Sequence, residues 1–469
     1  MSAKEAIYMS VAGGFIVPHP PIILPEVGKG EERAISATAK AYAEAANRIA
    51  ILKPDTVILT SPHAELYADY FHIAPGLEAS GDMSQFSAPQ AKVKVKYDSE
   101  FVKALSEKAQ SEGIRAGTLG ERDPSLDHGS VIPLRFILPV YSDSRVVRIG
   151  LSGFSAREHY RLGECIADVA RSLGRRTVIV ASGDLSHKLK DDGPYGFAAE
   201  GPEFDEKITA AMADGDFMRF LDFDENFCDK AAECGLRSFI IMAGALDGMK
   251  VKPELLSYEG PFGVGYAVAS FEVTGEDKER RFGEIYDVIQ TEKAIARKAS
   301  EDEYVRLARL SLETFINTGR RAELPDGLPE KMLSERCGAF VTLKKDGMLR
   351  GCIGTIEPAS DCIAEEIMNN AVSAGTQDPR FDSVEKTELN ELIYSVDVLS
   401  PARPVVDRNK LDARKYGVIV TAGYKRGLLL PDIEGVDTPD EQIAIALRKA
   451  GINKREKYTL EYFEVVRHK

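Results

Sequence analysis

The run Val178-Ile179-Val180-Ala181-Ser182-Gly183-Asp184-Leu185-Ser186-His187 constrains this chain more than any other stretch. β-Branched apolar residues stop abruptly at small and polar ones and then a histidine. A buried strand delivers a reactive side chain to the rim of a sheet in this way. Taken alone, the same residues also describe a strand followed by a helix cap, with Asp184 or Ser186 capping and His187 exposed. Two earlier segments weigh toward the first reading. Gly13-Gly14-Phe15-Ile16-Val17-Pro18-His19-Pro20-Pro21 is an apolar strand running into a proline-locked loop, and Thr56-Val57-Ile58-Leu59-Thr60-Ser61-Pro62-His63 repeats the pattern. Prolines on both sides of His19 fix the backbone and remove donors, a good mount for a metal ligand. His63, taken alone, is equally a surface turn residue.

Asp127-His128-Gly129 places a fourth histidine in a loop leading into the apolar run Val131-Ile132-Pro133-Leu134. Between these segments, helical stripes span about Glu31 to Leu52 and about Ala156 to Leu173, and their apolar faces are core packing. Strands alternating with helices imply a three-layer α/β arrangement around a largely parallel sheet. Ligand sites in such sheets collect at the carboxyl ends of the strands, so the four histidines should gather on one edge. Further on, 203–213 and 233–246 read as helices, and Leu255 to Glu259 as a strand followed by a glycine-rich turn. Two histidines and one carboxylate with open positions suit non-haem ferrous iron, and His19, His63 and Glu259 can supply them.

With 469 residues, 44% of them hydrophobic, the chain can build two or three substantial cores. A net charge of -14 opposes nonspecific binding to nucleic acid or anionic lipid. There is no run of about eighteen apolar residues. The start Met1-Ser2-Ala3-Lys4-Glu5-Ala6 lacks the build of a signal peptide, so the expected compartment is the cytoplasm. The 6 cysteines form no CxxC pair and read as reduced thiols. Charged residues dominate from Thr274 to Lys298, which sets a first domain at 1–275, a linker at 276–298 and a second domain at 299–469. In that second domain, alternating residues broken by Asp346-Gly347 read as a β-hairpin whose returning strand carries Arg350 and Cys352. Glycines at 351 and 354 allow a backbone or a ligand to approach closely. Cys352 is either a nucleophile of lowered pKa beside Arg350 or a small residue in a packed strand.

Through Pro18-His19-Pro20-Pro21, Pro62-His63, Asp127-His128-Gly129, Ser182-Gly183-Asp184-Leu185-Ser186-His187 and Gly263-Val264-Gly265-Tyr266, the stretch from about Gly13 to Phe271 resembles the class III extradiol ring-cleavage dioxygenase family and its Memo-like relatives. The resemblance implies an α/β/α domain with His19, His63 and Glu259 as ligands of Fe(II), or of zinc or another divalent metal. It also implies His187 as the acid/base residue and His128 near dioxygen or substrate. Through Leu349-Arg350-Gly351-Cys352-Ile353-Gly354, Asp378-Pro379-Arg380-Phe381 and Arg426-Gly427-Leu428-Leu429-Leu430-Pro431, the remainder resembles the AMMECR domain family. That implies an α+β domain in which Arg350, Cys352, Asp378 and Arg380 form a ligand or partner site, although Asp378 and Arg380 equally suit a salt-bridged turn.

The order of the two halves is similar to fused proteins of the AmmeMemoRadiSam system. It implies a radical SAM companion on a separate chain, because no radical SAM cysteine triplet occurs here. The expected function is that of a non-haem iron enzyme acting on a small phenolic or enolic substrate, with the second domain shaping or gating the site. Without oxygen, the same metal would serve hydrolytic or lyase cleavage of a carbon-carbon bond. A regulatory module binding a partner in the cleft is the reading from another class, and oligomerisation is open.

Overall fold

The apolar runs identified above pair with one another. Strands Arg145–Gly150, Thr56–Ser61, Thr177–Ser182 and Val11–Val17 lie side by side in parallel, and the antiparallel strands Tyr266–Glu276 and Met249–Glu259 extend the sheet. Their side chains alternate between two cores. Val178 and Val180 face one, with the helices Ser36–Leu52 and His128–Ile137. Ile179 and Ala181 face the other, with Ser99–Ser111, Ala156–Ser172 and Leu236–Ala245. A strand whose two faces are both buried must be apolar throughout, which is why these runs do not alternate with polar residues. The result is the expected three-layer α/β/α unit.

The computed structural model describes residues 10–345, 347–433 and 435–469. The N-terminal residues Met1 to Ala6, considered above for a leader, lie outside this range. Contacts divide the chain into units spanning Met1–Ile289 and Gln290–Lys469. The stretch read as a linker is mostly taken up by the helix Phe282–Ser300, in which this boundary falls. Phe282 and Tyr286 pack on the first unit's core, whereas Val288 and Ile295 are exposed. No helix among the described residues is long and apolar enough to cross a membrane.

The second unit is α+β. Its antiparallel sheet runs Met348–Gly354, Ala339–Lys345, Ile393–Leu399, Thr459–His468, Tyr416–Ala422, Lys425–Leu429. The helices Glu303–Thr318 and Ile363–Thr376 share one core with it, and Pro439–Ala450 closes another over the last hairpin. The hairpin predicted around residue 346 forms, with Gly347 at φ +78°; Asp346 itself lies outside the described residues. The close approach expected at Gly351 and Gly354 is made by protein. A Cβ at Gly351 would meet the Ala374 carbonyl at 2.2 Å, and one at Gly354 would meet the Phe340 ring at 2.2 Å.

Candidate metal centre

The parallel strands bring the ends Val17, Ser61 and Ser182 to one edge of the sheet, and the segments that follow carry His19, His63 and His187. His19 is buried and held at three points. Its N–H donates to Asp184 Oδ1 at 2.8 Å, its Nδ1 lies 3.0 Å from Ser182 Oγ, and its Nε2 lies 3.0 Å from His63 Nε2. Burial, and then the neighbouring His63, push the His19 pKa down to about 3, so the ring is neutral at ordinary pH. His63 stays open to solvent on one side, and its N–H donates to Ser61 Oγ at 3.2 Å.

The third donor of the group is Cys234, whose Sγ lies 3.7 Å from His19 Nε2. Ligand atoms of His19, His63 and Cys234 all lie within 4.8 Å of one another. Burial raises the Cys234 thiol pKa, so the sulfur is protonated until a cation displaces its hydrogen. Cys234 reaches the histidines because two backbones almost touch: a Cβ on Gly183 would lie 2.1 Å from Gly235 Cα. Sequence reasoning missed this residue, since a single cysteine outside any CxxC pair reads as a small buried side chain; the adjacent Gly235 was the only local signal.

The structure does not bring Glu259 to the histidines in that group. Its Oε2 accepts from the N–H of Thr38 at 2.7 Å and from Thr38 Oγ1 at 2.6 Å, satisfying one of the open backbone donors at the start of the helix Ser36–Leu52. A strand-end carboxylate thus serves as a helix cap here.

His128 does join the site, but as the first residue of the helix His128–Ile137 rather than in a loop; Asp127 caps that helix by accepting from Ser130 N. Its ring centroid is 4.1 Å from that of His63, and burial followed by His63 pushes its pKa down to about 3. His187 packs edge-on against Tyr195 at 5.1 Å, and its buried Nδ1 has no hydrogen-bond partner among the described residues. The four histidines line one cleft of about 880 Å³, with Phe86 and Phe262 on its apolar wall. Two facing imidazole nitrogens on an open cleft, with a thiol in reach of them, are a donor set that fits a divalent metal.

The four residues singled out in the second unit also lie together, and their hydrogen-bonding groups are taken up by one another or by neighbouring residues. Arg350 donates to both carboxylate oxygens of Glu388, at 2.8 and 2.9 Å. Asp378 accepts from Cys352 N at 2.8 Å and from Arg380 Nε and Nη2 at 2.9 and 2.7 Å. The Arg380 guanidinium holds the Asp378 carboxyl well below the usual range. Cys352 Sγ accepts from Thr342 Oγ1 at 3.3 Å.

The family described as the catalytic LigB subunit of aromatic ring-opening dioxygenase matches residues 13–269, and AMMECR1 matches residues 305–468. The chain belongs to the LigB family, with an AMMECR1 domain following in the same polypeptide. Protein CA_C1420 of Clostridium acetobutylicum is 42% identical over 469 residues, which covers 98% of this chain and 100% of its own length. A protein of Thermotoga maritima is 52% identical over 153 residues, covering 32% of this chain and 88% of itself. Among solved structures, protein PH0010 of Pyrococcus horikoshii aligns with 35% of this chain and 88% of its own at 31% identity, with a TM-score of 0.33.

Proposed function

We propose that the first unit is a divalent-metal enzyme of extradiol-dioxygenase type acting on a small phenolic or enolic substrate. The observation that carries this reading is the convergence of His19, His63 and Cys234 within 4.8 Å, with both histidines lining a cleft that also contains His187. A bound divalent metal would supply a Lewis-acidic centre that lowers the pKa of a phenol or enol hydroxyl. The protein's own residues do the rest. Phe86 and Phe262 provide an apolar wall for a planar ring. His187 lines the cleft, and its ring is the group that would exchange a proton with the substrate hydroxyl. His128, neutral and beside His63, offers a hydrogen bond without adding charge.

Ferrous iron is the metal that suits ring opening with dioxygen. Cys234 supports a second reading, because a thiolate is a softer donor than the carboxylate expected at Glu259 and suits zinc. The site would then serve oxygen-independent cleavage of a carbon-carbon bond.

The test is anaerobic reconstitution with Fe(II) and, separately, Zn(II), followed by metal analysis and by turnover assays on catechols with and without oxygen. About one bound metal per chain is expected. His19→Ala and His63→Ala should each weaken binding by more than ~100-fold while the chain stays folded, because both ligands sit on segments outside the sheet core. Unchanged metal content in both variants would overturn the site.

A further inference from the structure

Ser182 is the last residue of its strand and is completely buried. Its Oγ lies between two groups: it donates to the carbonyl of Gly129 at 2.7 Å and sits 3.0 Å from His19 Nδ1. A carbonyl only accepts, and a serine hydroxyl has one hydrogen. With that hydrogen committed to Gly129, Oγ meets the imidazole as an acceptor, so Nδ1 must carry the ring proton and Nε2 must be bare.

We propose that Ser182 is a positioning residue that fixes His19 in the Nδ1–H tautomer and thereby keeps its Nε2 lone pair aimed at His63 and Cys234. This proposal rests on the metal-site reading for its consequence, although the tautomer itself does not depend on a metal.

Two features supply the carbonyl that the serine needs. Within a helix, Gly129 C=O would ordinarily accept from the N–H of residue 133, and that residue is Pro133, which has none. The carbonyl is therefore free to point at Ser182. Asp127 then holds the helix start in place, accepting from Ser130 N at 3.1 Å, from Ser130 Oγ at 2.9 Å and from Ser61 Oγ at 2.6 Å. Ser61 Oγ in turn accepts from the N–H of His63. Hydrogen bonds thus connect the segment that carries His19, the segment that carries His63 and the helix that begins at His128. Without Ser182, neutral His19 would populate the Nε2–H form, whose hydrogen points at the other two donor atoms and opposes metal binding.

The experiment uses the full chain with ¹⁵N-labelled histidine, of which there are only 7. Long-range ¹H–¹⁵N spectra of the metal-free protein report which ring nitrogen of His19 is protonated, and titration with Zn(II) reports affinity. Wild type should show Nδ1–H. Ser182→Ala should show a mixture of tautomers and bind zinc ~10–100-fold more weakly, the usual effect of losing an outer hydrogen-bond partner of a ligand. Ser182→Thr, which keeps the hydroxyl, should restore both. Ser182→Cys keeps the volume with a weaker partner and substitutes for the alanine variant if that one does not fold. Nε2–H in wild type, or unaltered Nδ1–H in the alanine or cysteine variant, would overturn the proposal. If wild type binds no zinc, the metal reading fails while the spectra still decide the role of Ser182.

Discussion

The histidine cleft of the first unit and the Arg350–Asp378 cluster of the second are both dense in polar side chains, and they leave those side chains in opposite states. In the cleft, His19 and His63 turn bare or shared nitrogens toward each other, and His187 Nδ1 has no partner among the described residues. In the cluster, Arg350 spends two donors on Glu388, and both oxygens of Asp378 are occupied. The ionisable groups differ in the same sense. Burial pushes Asp184 up to about 6 and Asp205 up to about 7 in the first unit, whereas the Arg380 guanidinium holds Asp378 low in the second. A ligand site needs hydrogen-bonding capacity that the fold leaves unfilled, and a motif rich in charged residues does not guarantee it.

The sharpest way to break this contrast is Asp378→Ala. It strips the acceptor from Arg380 and from the partly buried N–H of Cys352, so the second unit should lose about 2 kcal/mol in denaturant unfolding while zinc affinity stays at the wild-type value. A stability change near zero would mean the cluster is not the closed, structural arrangement described here.

The pH responses should also run in opposite directions. Asp205 binds its proton up to about 7 when folded but only to 3.8 when unfolded, so the folded state holds more protons between these values and stability falls as the pH rises through that window. Asp378, with its pKa depressed, contributes stability that is present above its unfolded value and lost as acid drives the pH below about 4. Asn at 205 can still accept from Ser186 N and can donate to Tyr258 Oη, the two partners of the native side chain. Asp205→Asn should therefore narrow the difference in melting temperature between pH 5 and pH 8. An equal difference in variant and wild type would remove Asp205 as its source.

The smallest effect belongs to Cys352→Ser. It exchanges a weak sulfur contact with Thr342 for a hydroxyl, and should change stability by less than ~1 kcal/mol with no effect on metal. A larger loss would place Cys352 in tight packing.

The strands and the histidines that follow three of them, His19, His63 and His187, were legible in the sequence because their signals are local: a β-branched run, then proline or small and polar residues, then a histidine. Others were not. Pro133 inside an apolar run concealed the helix that begins at His128, since the fold gives the carbonyl it leaves unbonded another donor in Ser182. Glu259 was misplaced because a carboxylate at the end of a strand looks the same whether it meets a metal or the first turn of a helix. Cys234 was missed for a related reason, as its distance from His19 is decided by an approach of segments some fifty residues apart in the chain, Gly183 and Gly235. Likewise the pairing of Arg350 with Glu388 is invisible in a motif that contains only the first of them.

The near-contact of Gly183 and Gly235 separates owning a ligand from having it in reach. The thiol is admitted to the histidine group by two missing side chains, not by its own chemistry. A chain that kept both histidines and the cysteine but carried alanine at 183 would spell out the same donor set and be unable to assemble it. For proteins built this way, inheritance of metal chemistry is better followed through the pair of glycines than through the cysteine.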